Sequence, residues 1–189
     1  MSFSEAMRAP IVMAALALSG GLGCRGEGAA YPLPIYEGHG GWTDEHGASI
    51  SLARFRGAPF ILTAGYTSCT VRCPLTVDKL RAVDEALRRR GQVVPIVFLT
   101  LDPRNDTTER LGHWKREHHL TDDWHFLRGS DADTRRLARV LGVHAAYDDG
   151  HIDHDVRIAV FDASGRLTRT LDGWSFDVDE AVGPPSQGR

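Results

Sequence analysis

The sequence predicts an α/β fold: a central mixed sheet flanked by helices and finished by a C-terminal antiparallel hairpin. Three observations carry this. Apolar runs at residues 60–64, 93–101 and 124–127 are each followed by a stretch with helical spacing, an alternation that builds a largely parallel sheet with right-handed crossovers. Two later apolar runs, 156–161 and 167–171, are separated only by Asp162-Ala163-Ser164-Gly165, a turn-rich link that returns the chain antiparallel. The chain has 189 residues, 42% of them hydrophobic and 25% charged, which is enough to bury one ordinary globular core.

Taken in order, residues 1–23 read as an export signal, with a sparse charged stretch ending at Arg8, an apolar run over 11–18 and small residues before Cys24. The run is well short of the roughly 20 residues a spanning helix needs. Gly21-Leu22-Gly23-Cys24 is similar to a bacterial lipobox, with Cys24 as the lipid-bearing first mature residue, although Gly21 stands where leucine is usual. Simple cleavage and an uncleaved anchor are the alternatives. The expected location is the periplasm or the extracytoplasmic face of a bacterial membrane. Residues 24–41, rich in Gly, Ala and Pro and without a period, read as a flexible tether. The folded domain is expected over 42–182, and residues 183–189, opening with Gly183-Pro184-Pro185, as a mobile tail.

Within that domain, residues 48–55 alternate around Ile50 and Leu52 as a half-buried strand would. Residues 60–64 suit a strand buried on both faces, which feeds directly into Gly65-Tyr66-Thr67-Ser68-Cys69. Leu80, Val83 and Leu87 then recur at helical spacing from Leu75 until Gly91 stops them, and Pro74 fits only the first turn. After the strand at 93–101, Asp106 and Glu109 are spaced as a capping box, with Asp106 as the cap of a helix reaching about His119. Ser130 and Asp133 start a further helix behind the strand at 124–127, burying Leu137, Val140 and Leu141 before Gly142. Residues 150–155 read as a polar loop, and 176–182 as a short last helix.

The formal charge of -3 leaves no basic excess to neutralise phosphates, so nucleic acid is excluded as a partner; Arg88 to Arg90 read as a solvated helix end. Of three cysteines, Cys24 lies ahead of the domain, which leaves Cys69 and Cys73 as a lone pair and rules out a disulfide framework. Four residues apart at a strand-to-helix junction, their sulfurs fall on one side of a helix start, within reach of one metal or of each other. The alternative is a pair of buried structural cysteines. Helix-start amides and Arg72 favour thiolate over thiol. Two thiolates select Cu(I) or Zn, and one added imidazole makes a three-coordinate set that copper tolerates in both oxidation states. Nine histidines are present, and only His151 and His154 lie in a loop that the strand order can bring against the cysteines. From the residues alone, His154 is either a ligand or an exposed loop residue, and His151 is the weaker candidate.

The segments GYTSCTVRCPL, LTLDPRNDTTE and HIDHDVRIAVFDASG, in this order between Trp42 and Trp174, resemble the SCO/SenC family of copper-binding, thioredoxin-fold proteins. The resemblance implies a thioredoxin-like domain that binds one copper ion, Cu(I) or Cu(II), through both cysteines of a CxxxC motif and the histidine of a distant DH motif. These map to Cys69, Cys73 and Asp153-His154, while His151 falls outside the family position. It also implies a metallochaperone that assists assembly of the binuclear copper centre of cytochrome c oxidase. The partner the resemblance implies is the copper-receiving oxidase subunit; another copper chaperone and, from the N-terminal reading, a membrane reached through the lipid anchor or uncleaved N-terminus are further expected partners. The competing reading is a thiol–disulfide oxidoreductase with Cys69 and Cys73 as its redox pair, reducing cysteines of the oxidase subunit or another exported partner. Thioredoxin-like reductases usually carry a proline facing their cysteines, and this chain has none between Pro103 and Pro184, which favours metal. Thr70 departs from the proline that often follows the first cysteine in the family.

Overall fold

The computed structural model describes residues 35–36, 40–148 and 151–182. In chain order the elements are β1 (Trp42–Thr43), β2 (Ser49–Ile50), a 3-10 turn (Leu52–Phe55), β3 (Phe60–Gly65), α1 (Arg72–Arg89), β4 (Ile96–Thr100), α2 (Thr108–Glu117), β5 (Trp124–Leu127), α3 (Asp131–Val140), β6 (Ala145–Asp148), β7 (His151–His154), β8 (Arg157–Phe161), β9 (Leu167–Asp172) and α4 (Val178–Val182). The expected export signal at 1–23, Cys24 as a lipid site, most of the tether and the tail at 183–189 lie outside the described residues.

The main sheet runs β5-β4-β3-β8-β9. β3, β4 and β5 pair parallel, and β8 joins β3 antiparallel with Ile61 opposite Val160 and Thr63 opposite Ile158. β9 returns antiparallel to β8. This is the mixed sheet with a C-terminal hairpin that the sequence predicts. Every residue of β3 and β4 is buried, as continuous apolar runs require in strands covered on both faces.

Several elements differ from the sequence reading. Residues 48–55 do not form one strand: after Ile50 the chain turns into a 3-10 helix capped by Ser51, whose hydroxyl accepts the Ala53 N–H, so Leu52 and Phe55 are both buried. α1 begins at Arg72, three residues before Leu75, which places Cys73 and Pro74 in its first turn. Thr107, not Asp106, caps α2 by accepting from Arg110 N–H. The expected loop at 150–155 contains β7, which pairs antiparallel with β6 as a separate two-stranded sheet, Ala145 opposite His154 and Asp148 opposite His151. The folded body also reaches upstream of Trp42. Ile35 and Tyr36 are buried, Ile35 N–H donates to Gly165 C=O at 2.9 Å, and Tyr36 Oη donates to Phe55 C=O at 3.2 Å.

Candidate metal centre

The carboxyl end of β3 is where the fold delivers its chemistry. β3 stops at Gly65, and the next residues cross above the sheet into α1. Gly65 is required there: a Cβ would lie 2.7 Å from Cys73 Sγ and 2.7 Å from Phe98 Cζ, so only glycine lets the first turn of α1 settle on the strand end. The two sulfurs come together as the spacing predicts. Cys73 N–H donates to Cys69 Sγ at 3.4 Å, and Tyr66 N–H donates to Cys73 Sγ at 3.4 Å. Both thiols are free, with Cys69 at the surface of the core and Cys73 beneath it.

Their environments set them apart. Burial alone would push the Cys69 thiol up, but N–H donation from Cys73 and Val71, the Cys73 thiol, and Arg72 N–H together outweigh it and hold Cys69 below the usual thiol range. Cys73 is pushed well above that range by burial, opposed by donation from Tyr66 N–H and reinforced by the negative charge of Cys69. The expectation that helix-start amides favour thiolate therefore holds for Cys69 and fails for Cys73, where desolvation dominates, and the charge of Arg72 acts on neither. Arg72 turns away from the sulfurs. Its guanidinium donates to Asp153 at 2.5 Å and to His154 C=O at 2.9 Å, tying α1 to β7.

The loop carrying Cys69 is anchored from below by Asp106. This fully buried carboxylate accepts from Thr67 N–H at 3.1 Å, from the Thr67 hydroxyl and from the Thr100 hydroxyl at the end of β4. Burial raises its pKa, and the Thr100 and Thr67 donations oppose that. Asp102 holds its own loop, accepting from Asn105.

His154 closes the far side. It is 5% exposed, its Nδ1 lies 2.9 Å from Asp155 C=O, and its Nε2 is buried with no hydrogen-bond partner. A carbonyl only accepts, so Nδ1 carries the proton and Nε2 presents a lone pair. Burial holds the imidazole below its ordinary pKa, so it is neutral at pH 7; the Asp155 carbonyl opposes this and Arg72 adds to it. A buried lone pair without a donor costs about 1–3 kcal/mol and is the form in which histidine binds metal. Two sulfurs and this nitrogen are a donor set that fits copper.

Among the described residues, however, no three His, Cys, Asp or Glu side chains already converge on one point. Tyr66 stands in the group: its ring meets the His154 ring edge-on at 5.8 Å, and its hydroxyl lies 3.3 Å from His151 Nδ1. Sequence reasoning passed over Tyr66, although a phenol between a buried strand and a CxxxC motif was its visible signal.

A thioredoxin-like domain with a paired-thiol site at the end of a central strand and a buried histidine on a neighbouring hairpin is the class of protein defined here. The SCO1/SenC family profile matches residues 36–182, and the chain belongs to that family. An SCO2-like protein of Rickettsia typhi is 29% identical over 135 residues, covering 67% of this chain and 64% of that protein. The human mitochondrial protein SCO2 homolog is 26% identical over 136 residues, covering 66% of this chain and 49% of its own. The chain thus spans less than two thirds of the length of these relatives. Among solved structures, Arabidopsis thaliana ScoI with copper bound superposes with a TM-score of 0.70 at 23% identity, over 77% of this chain and 92% of that one. BsSco, a member of the Sco family of cytochrome c oxidase assembly proteins in which a disulfide switch has been identified, gives 0.69 at 20% identity, over 80% and 91%.

Proposed function

We propose that the protein is a copper metallochaperone which holds one copper ion through Cys69, Cys73 and His154 and assists assembly of the binuclear copper centre of cytochrome c oxidase. The observation that carries this reading is the buried, unpartnered Nε2 of His154, on a strand that Arg72, the neighbour of Cys73, ties to the start of α1. An imidazole nitrogen without a donor is a ready copper ligand, and thiol–disulfide exchange does not require it. Cys69 is the thiol that ionises more readily, Cys73 gives up its proton to solvent as it binds, and His154 enters already neutral. The hairpin of β6 and β7 brings the third ligand, and its attachment through Arg72 and Tyr66 leaves the site open to exchange with acceptor thiolates. We place this work outside the cytoplasmic membrane, with the chain exported and tethered through Cys24 or an uncleaved N-terminus, a second chaperone as copper donor and the oxidase subunit as acceptor.

The test is a copper titration of the reduced chain. One ion per chain is expected for the parent, with loss of tight binding in Cys69→Ala, Cys73→Ala and His154→Ala. A deletion strain should lose oxidase activity and regain it at high copper. Activity that stays lost at high copper argues against delivery.

One observation favours a second reading, thiol–disulfide exchange. Cys69 is held as the more acidic thiol with Cys73 against it, the arrangement of an attacking and a resolving sulfur. Cys69 thiolate would attack a partner disulfide, and Cys73 would displace it, leaving the partner reduced and Cys69–Cys73 oxidised. Catalytic reduction of a partner disulfide without stoichiometric copper binding would establish this reading instead.

A further inference from the structure

A second imidazole faces the sulfur pair. His151, at the solvent end of β7, lines an open cleft of about 260 Å3 together with Cys69, Tyr66 and Arg72. The Tyr66 hydroxyl organises that cleft. Ile152 N–H donates to it at 3.4 Å, and His151 Nδ1 lies 3.3 Å away. A phenol has one proton to give and two lone pairs to receive with. The Ile152 amide only donates and takes one lone pair. His151 Nδ1 is engaged by the Tyr66 hydroxyl, which leaves Nε2 as the ring nitrogen not used there, on an exposed side chain lining the same cleft as Cys69.

The sulfur and nitrogen donors are therefore graded from outside to inside. His151 is exposed, Cys69 is 9% exposed, His154 5% and Cys73 1%. Cys69 belongs to both ends of the series, sharing the cleft with His151 and accepting from Cys73 N–H.

We infer that His151 and Cys69 form an outer copper position, at which the ion is received before it moves inward to Cys69, Cys73 and His154, and from which it leaves. The inference rests on the copper-carrying reading above. The step is ligand exchange without electron transfer. The donor's ligands leave as Cys69 Sγ and His151 Nε2 bind; the bond to Cys69 is then kept while His151 is replaced by Cys73, whose thiol proton passes to solvent, and by His154. An imidazole and a thiolate suit copper in both oxidation states.

The test uses the full reduced chain and Cu(I) presented as its coloured bicinchoninate complex, so that loss of colour follows transfer in a stopped-flow instrument. His151→Gln, which still pairs with Tyr66, should reach the parent's end point of one copper per chain but load about tenfold more slowly. In His151→Gly, added free imidazole should restore the rate, an effect that a purely structural role for His151 does not produce. A His151→Gln chain that loads at the parent's rate overturns the inference. So does one that loses its end point as His154→Ala does, because His151 would then be a resident ligand. A parent chain that takes no copper removes the copper-carrying reading itself, a result distinct from either.

Discussion

Cys69 and Cys73 differ by one turn of helix and by almost everything that governs a thiol. Cys69 meets backbone donors at the helix start, while Cys73 lies under Gly65 and Phe98 with almost no access to water. Alkylation follows the thiolate fraction, which rises with pH and levels off above the thiol's pKa. Because the Cys69 pKa is lowered, its modification by iodoacetamide should level off at a lower pH than that of a free thiol measured alongside it. Cys73, raised, should react only at higher pH than a free thiol. Mass spectrometry of peptides from the metal-free chain checks this, and equal rates at the two cysteines would refute it. The thiol pair was legible from spacing alone. Its asymmetry was not, since it depends on how closely α1 approaches β3 and on where Arg72 points. His154 became a site residue in the sequence only by resemblance; what supports it physically is an unpartnered nitrogen, which no sequence pattern displays.

At the scale of elements, the hairpin of β6 and β7 is the piece that sequence reading missed. Its strands are four residues each and largely exposed, and His151-Ile152-Asp153-His154 buries only alternate residues, so a polar composition hid a strand. Asp106 was misread for a related reason: Thr107 performs the capping that its spacing with Glu109 suggested, which frees Asp106 to anchor the cysteine loop. Arg72 is the link between hairpin and helix. As a half-exposed ion pair with Asp153 it contributes at most about 1 kcal/mol to stability. Its effect on the site is larger, because it also holds the His154 carbonyl. Arg72→Ala should weaken copper binding about tenfold while barely moving the melting temperature, as loss of an outer-shell contact does. Unchanged affinity by competition titration would show that the hairpin does not need the latch.

A second element contact carries stability. Lys115 of α2 donates to Glu45 at 2.6 Å and to Trp124 C=O at 2.7 Å, and Glu45 also accepts Phe126 N–H at 2.9 Å. Both side chains are buried, so removing one partner strands the other's charge. Lys115→Met should cost about 3–5 kcal/mol in urea unfolding, and the double change Glu45→Gln with Lys115→Met should cost less than the sum of the singles. Additive losses would mean that the two charges do not depend on each other.

For the molecule as a whole, the order of apolar runs was enough to give the sheet and its closing hairpin, because strands buried on both faces leave continuous apolar signatures in any context. The extent of the body was harder to read. Ile35 and Tyr36 sit in a Gly- and Pro-rich stretch without a period, yet they pack on the end of the sheet beside Phe60 and Gly165. A chain starting at Trp42 should lose about 3 kcal/mol relative to one that keeps them, read from the urea midpoint at constant slope. Equal midpoints would place these residues outside the cooperative unit. In the architecture a strand end carries the sulfurs, and a small separate sheet carries the nitrogen of His154. The most direct measurement is X-ray absorption at the copper edge of the loaded full chain. The account predicts a shell of two sulfurs and one imidazole nitrogen, with the nitrogen lost in His154→Ala; a shell left unchanged by His154→Ala would contradict it.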